Sequence, residues 1–144
     1  MGGLYKIFTR VIANRIQKVL PSIVHPMQYG FISGRDILHN ILNVQMAVDY
    51  AKESKQEIVM IQLDIEKAYD HVSWSFLAQL MSKMGFGTRM SGLTFMFCLS
   101  AVSYILLNDG VTKAIPLTRS VRQRCPLSPL LFVIVTHPNL VKNA

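Results

Sequence analysis

The stretch IQLDIEKAYD, residues 61–70, sets a carboxylate at the end of an alternating apolar run and follows it with a turn. Across residues 57–63, Val59, Ile61 and Leu63 recur at period two, while Ile58, Met60 and Gln62 share the opposite face with Asp64. That is the spacing of a β-strand. Asp64 then stands at the strand's C-terminal end, pointing away from the Val59 face. A hard cation such as Mg²⁺ takes oxygen ligands from one or two carboxylates together with substrate phosphates, so one aspartate here is half of such a site. An aspartate closing a strand also serves as a turn former or helix cap.

Helical periodicity surrounds this strand. Leu4, Ile7, Phe8, Val11, Ile12, Ile16, Val19 and Leu20 fall on one face, with Lys6, Arg10, Asn14 and Lys18 outside and Pro21 as the stop. Residues 22–34 are rich in turn formers, and Asp36 opens a second helix through Ile37, Leu38, Ile41, Val44 and Val48 to about Glu53. Ser73 caps a third carrying Trp74, Leu77, Leu80, Met81 and Met84, ended by Gly85 and Gly87; Thr88 caps a fourth through Leu93 and Phe97. Residues 103–107 and 114–118 read as strands joined across Asn108-Asp109-Gly110. Ser128 and Pro129 stand as N-cap and first helical residue before LLFVIV. The fold class expected is α+β, with helices packed on a small, mainly antiparallel sheet that includes a hairpin.

Of the 144 residues 51 % are apolar and only 16 % charged, so an apolar surface awaiting a partner is expected. Lys and Arg outnumber Asp and Glu by 15 to 8, a net charge of +7, and the pI is about 9.7. This favours a polyanion, either nucleic acid or an acidic membrane surface. No run reaches the roughly 18 apolar residues of a membrane span, and the N-terminus lacks a signal-peptide core. The expected location is intracellular, cytoplasmic or nuclear, with no membrane partner. Cys98 and Cys125 form no Cys-x-x-Cys pair and read as free thiols, and the scattered His25, His39, His71 and His137 suggest no nucleophile arrangement.

Four blocks in order carry a resemblance: LYKIFTRVIANRI near the start, YGFISGRDILHNIL at 29–42, LDIEKAYDHVSWSFL at 63–77 and TRSVRQRCPLSPLLF at 118–132. Together they resemble the reverse transcriptase domain of non-LTR (LINE-type) retrotransposons, over nearly the whole chain to about Val135. The resemblance implies a partial fingers and palm: residues 1–56 as a fingers-proximal helical segment and 57–144 as partial palm. It implies RNA-directed DNA synthesis by two-metal nucleotidyl transfer, with Mg²⁺ as cofactor, RNA template and DNA primer as partners, and a dNTP as substrate of an intact parent.

Residue by residue, Asp64 matches the first catalytic metal carboxylate, and the Ile65 backbone carbonyl the accessory ligand. Tyr69 matches the aromatic that packs under the incoming sugar and excludes a 2′-hydroxyl; read without the family it is a core tyrosine. Gln123 and Arg119 match polar positions facing the incoming nucleotide and the template. In the loop around Gly30 and Gly34, Arg35 is expected to track a sugar-phosphate backbone, or else to be salt-bridged to an acid. Asp70 has the alternatives of helix cap or pairing with Arg122 or Arg124, and Lys67 of a phosphate contact or a solvated turn. The chain departs from the pattern at Ser120 and Arg124, where the family has glycine; Arg124 is expected to crowd the nascent base pair, as in a decayed copy. The second carboxylate block, expected downstream of Pro129, and the thumb are not in the chain, so the expectation is a truncated domain that does not polymerise alone. The alternative is a non-enzymatic basic module that binds nucleic acid or protein.

Overall fold

In the computed structural model, residues 3–97, 101–108 and 110–137 are described. Five helices, α1 (Gly3–Ile23), α2 (Ile37–Ser54), α3 (Trp74–Lys83), α4 (Thr88–Met96) and α5 (Ser128–Val135), accompany four short strands between α4 and α5. These are β1 (Val102–Ser103), β2 (Leu106–Leu107), β3 (Gly110–Val111) and β4 (Ile115–Pro116). The core follows from α5. Its sequence SPLLFVIV is apolar on every side, and such a helix is stable only where neighbours enclose it. Leu130, Leu131, Val133 and Ile134 are buried between the inner faces of α3 (Trp74, Leu77, Leu80, Met81) and α1 (Ile12, Ala13, Ile16, Leu20), and α4 packs on both. The α+β class holds, with the helices forming the core and the strands two short exposed antiparallel pairs, β1 with β4 and β2 with β3.

The caps show how local chemistry sets the boundaries. Asp36 accepts from Leu38 N–H at 3.0 Å, and Ser73 from Phe76 N–H at 3.4 Å, as their positions before α2 and α3 predict. At the end of α3, Gly85 takes φ +80°; its N–H bonds Ser82 O and Phe86 N–H bonds Met81 O, a Schellman closure that uses two orphan carbonyls. α1 runs two residues past Pro21, because proline's φ is itself helical and only one donor is lost. Gly87, not Thr88, precedes α4, and α5 begins after Leu127 with Pro129 in its first turn. Ser128 does not cap α5, because its hydroxyl donates to Arg122 O at 2.6 Å. The β2–β3 pair turns between Leu107 and Gly110 with Asn108 at φ +47°; Asp109 lies outside the described residues, as does Cys98.

Residues 57–63 depart most from expectation, since they pair with no strand and Val59 and Leu63 are 88 % and 86 % exposed. Alternation favours a strand only where a neighbour supplies the ladder and a face to bury, and no described segment does so here. α2 is similarly unburied, with Ala51 its one buried residue.

Arg35 closes the C-terminus of α1. Its Nη1 donates to His25 O at 2.7 Å and Gln28 O at 2.8 Å, and its Nη2 to Pro21 O at 2.9 Å and Val24 O at 3.4 Å. Carbonyls at a helix end lack internal partners, and a guanidinium there also complements the helix dipole. The same loop is tied to the end of α5, where His25 N–H donates to Nδ1 of the buried His137 at 3.4 Å. Burial and the adjacent His25 hold the His137 imidazole below its ordinary value of 6.5, so it stays neutral and Nδ1 keeps its lone pair.

Three outcomes are expected from these contacts. Arg35→Lys lowers the unfolding free energy by about 2 kcal/mol in urea titration, because an ammonium cannot span four carbonyls; equal stability of the lysine variant would refute the clamp. The protonation of His137 is less favourable folded than unfolded, so its stabilising contact is complete above pH 6.5 and is lost as pH falls through the lower folded value. The urea midpoint therefore drops between pH 7.5 and 5.5, and His137→Gln flattens that slope. Ser120 (φ +95°) and Arg124 (φ +59°) hold left-handed backbone, which costs a residue with a Cβ about 1–2 kcal/mol, so Ser120→Gly and Arg124→Gly each raise thermal stability by about 1 kcal/mol. A lower melting temperature in both would contradict this.

Candidate functional site

The second and third sequence blocks are strapped together by their main chains. Val121 N–H donates to Tyr69 O and Ser120 N–H to Val72 O, both at 2.9 Å, and Ser73 pairs with Arg119 as an isolated antiparallel bridge. Trp74 Nε1–H braces the crossing by donating to Ser120 O at 2.7 Å, and the Ser120 hydroxyl donates to Asp70 Oδ1 at 3.2 Å. Tyr69 and Arg119 are thereby brought to one region, with Gln123 a few residues farther along the strap. Tyr69 is half-buried, its ring centroid 5.5 Å from that of Phe132 on α5, and burial pushes its phenol above 10.0, so the hydroxyl stays protonated. Gln123 and Arg119 are exposed.

Asp70 therefore pairs with a hydroxyl, and neither Arg122 nor Arg124 is its partner. Arg122 lies over the Tyr5 ring at 5.1 Å from its centroid. Lys67 sits at φ +49° with its ammonium 3.5 Å from Glu66, a solvent-exposed pair and the only ion pair among the described residues. Arg35, expected at a phosphate or beside an acid, has its four Nη bonds on main-chain carbonyls.

Asp64 and Ile65 are exposed in the segment that leads into this turn. A carboxylate and a neighbouring carbonyl are the right donor types for a hard cation. They are too few to hold one alone, and no group of three or more His, Cys, Asp or Glu gathers among the described residues. Sequence reasoning missed Trp74 and Ser120 as the brace of the site. The Trp74 indole at the start of α3 was legible as core, but its N–H partner forty-six residues away was not.

No described helix is long and apolar enough to cross a membrane. A model of the family described as reverse transcriptase (RNA-dependent DNA polymerase) matches residues 1–142. The chain is 30 % identical over 94 % of its length to the Transposon TX1 uncharacterized 149 kDa protein of Xenopus laevis. It is 27 % identical over 91 % to the retrovirus-related Pol polyprotein from type-1 retrotransposable element R2 of Popillia japonica. It is 26 % identical over 95 % to the probable RNA-directed DNA polymerase from transposon X-element of Drosophila melanogaster. It spans 10 %, 18 % and 15 % of the lengths of these three relatives. On the strength of these matches, the chain belongs to the reverse transcriptase (RNA-dependent DNA polymerase) family, on the side of its non-LTR retrotransposon members.

Proposed function

We propose that this chain serves as part of the catalytic domain of an RNA-directed DNA polymerase, residues 1–56 next to the fingers and 57–144 within the palm. The observation that carries this reading is the strap, which sets Tyr69 and the Arg119 to Gln123 segment side by side although they are far apart in sequence. The family works with a divalent metal. Here the Asp64 carboxylate and Ile65 carbonyl would hold Mg²⁺ together with carboxylates from outside the described residues. When bound, the metal supplies charge stabilisation at the transferring phosphoryl group.

The chain's own residues do the positioning. Tyr69, wedged against Phe132 and held by the Val121 N–H at its carbonyl, offers a rigid aromatic face for a sugar to rest on. Its elevated pKa keeps the hydroxyl a neutral donor across the working pH range. Gln123, exposed on the strap, is placed to hydrogen-bond the incoming nucleotide, and Arg119 to meet a phosphate of the template. Template and primer strands and dNTP are the partners this reading requires.

The test is a chimera in which this chain replaces the corresponding segment of a related retrotransposon polymerase. RNA-templated primer extension by the chimera should fall on the order of a thousandfold in Asp64→Asn, since metal-borne charge stabilisation is worth several kcal/mol and each 1.4 kcal/mol is tenfold. Extension that survives Asp64→Asn would remove Asp64 from the catalytic set.

A further inference from the structure

Two exposed surfaces of this chain are apolar and opposite in charge. On α1 the residues turned away from the core include Leu4, Ile7, Phe8 and Val11, 46–73 % exposed, at the i, i+3, i+4, i+7 spacing by which a helix lays one face into a groove. The charges of this helix are Lys6, Arg10, Arg15 and Lys18, with no carboxylate. All four are exposed, and none is ion-paired among the described residues. The seam stands on a fixed element, because Arg35 clamps the carbonyls at the end of α1 and Gln17 Nε2 donates to Phe31 O in the following loop at 3.0 Å.

The second surface is the outer side of α2 together with the segment after it. Ile41 and Val44 of α2 and Met60 and Ile61 beyond it line an open groove of about 460 Å³. Charge here runs against the rest of the chain: residues 36–64 carry the carboxylates of Asp36, Asp49, Glu53, Glu57 and Asp64 against only Lys52 and Lys55, although the whole chain has a net charge of +7. Glu57 and Asp64 flank residues 60–62 in the sequence, and both oxygens of Asp49 accept from Nε2 of Gln45 in the groove wall at 3.0 Å. All five carboxylates are exposed, and none is ion-paired among the described residues. Such a rim repels a polyanion and suits an apolar occupant that brings cations.

We infer that α1 of one copy docks in the α2 groove of a second copy, with its apolar seam on Ile41, Val44, Met60 and Ile61 and its cations toward the acidic rim. α1 has both features the groove calls for, whereas none of the other described helices carries more than one cation. Pairing either surface with its own counterpart would set like charge on like charge, cations across α1 or carboxylates across the groove. The contact is therefore heterologous, and copies add head to tail unless the rotation closes a ring. At about 60–120 Å² for each large aliphatic side chain, the seam and the facing groove residues bury roughly 500–1,000 Å² in total, the range of weak, reversible association. Neither metal nor nucleotide takes part, so this contact stands apart from the polymerase reading.

The test follows the whole chain, purified free of nucleic acid, by sedimentation velocity from about 2 to 200 μM at two ionic strengths. At about 50 mM salt the weight-average mass should rise by half or more across that range, and at about 0.5 M salt most of the rise should be lost, because opposite charges are then screened. Ile7→Asp on the seam and Ile41→Asp in the groove, both at exposed positions, should each hold the chain near the mass of one copy. Mixed one to one, the two variants should associate again and stop at two chains, since the Ile41→Asp copy keeps an intact seam and the Ile7→Asp copy an intact groove. A folding defect cannot produce that recovery. Leu106→Asp, on exposed β2 and outside both surfaces, should associate as the wild type does. The head-to-tail contact is overturned if wild type stays at one copy, if salt strengthens the association, if Leu106→Asp abolishes it, or if the mixture does not recover. Loss in Ile41→Asp with Ile7→Asp unaffected overturns it equally, since two α2 surfaces would then be pairing with each other. No primer is extended in these measurements, so their failure and that of the polymerase reading are separately visible.

Discussion

Trp74 Nε1–H donating to Ser120 O at 2.7 Å, with the paired main chains beneath it, is the contact on which the functional end of the molecule depends. A buried indole N–H needs an acceptor, and a carbonyl on an irregular segment needs a donor, so each satisfies the other. Their union anchors α3 to the chain entering α5. Once Val72 and Val121 are buried together at that crossing, Tyr69 has one place to lie, against Phe132. Ser120 is forced into left-handed backbone by the same geometry, which explains in conformational terms why a glycine suits that position.

Strain of this kind gathers around the candidate sites. Phe31, Lys67, Ser120 and Arg124 all carry positive φ, and each stands in or beside a segment that the sequence resemblance singles out. Residues with a Cβ hold such backbone only when neighbours over-determine it, through the Arg35 clamp, the strap and the Gln17 bond.

The apolar surface has a similar logic. The strap and α5 close a helical core, while α2 and residues 57–65 keep Ile41, Val59, Ile61 and Leu63 in solvent. A contiguous apolar surface of this kind marks a place where other structure docks, and an unpaired extended segment carries free N–H and C=O groups that seek a ladder. Asp64 stands at the end of that segment, so whatever pairs with it also sets the position of the carboxylate.

The sequence by itself determined the helices, because their signals are local: period 3.6 in α1 and α3, the Asp36 and Ser73 caps, the Gly85 stop and the all-apolar run of α5. It also determined the family, because four motif blocks in one order constrain ancestry more tightly than any single residue constrains chemistry. Only the tertiary structure decided which residues meet. The period-two pattern of residues 57–63 named two faces but could not supply a neighbouring strand, and a ladder is a property of pairs. The charge of Arg35 is visible in the sequence, and its four carbonyl partners are not. Arg124 reads in the sequence only as a cation where glycine is usual, and its left-handed backbone, beside the strap and the start of α5, is not written there. Charge and periodicity are written residue by residue, whereas hydrogen-bond partners and backbone sign at a crossing arise only when distant segments are packed against each other.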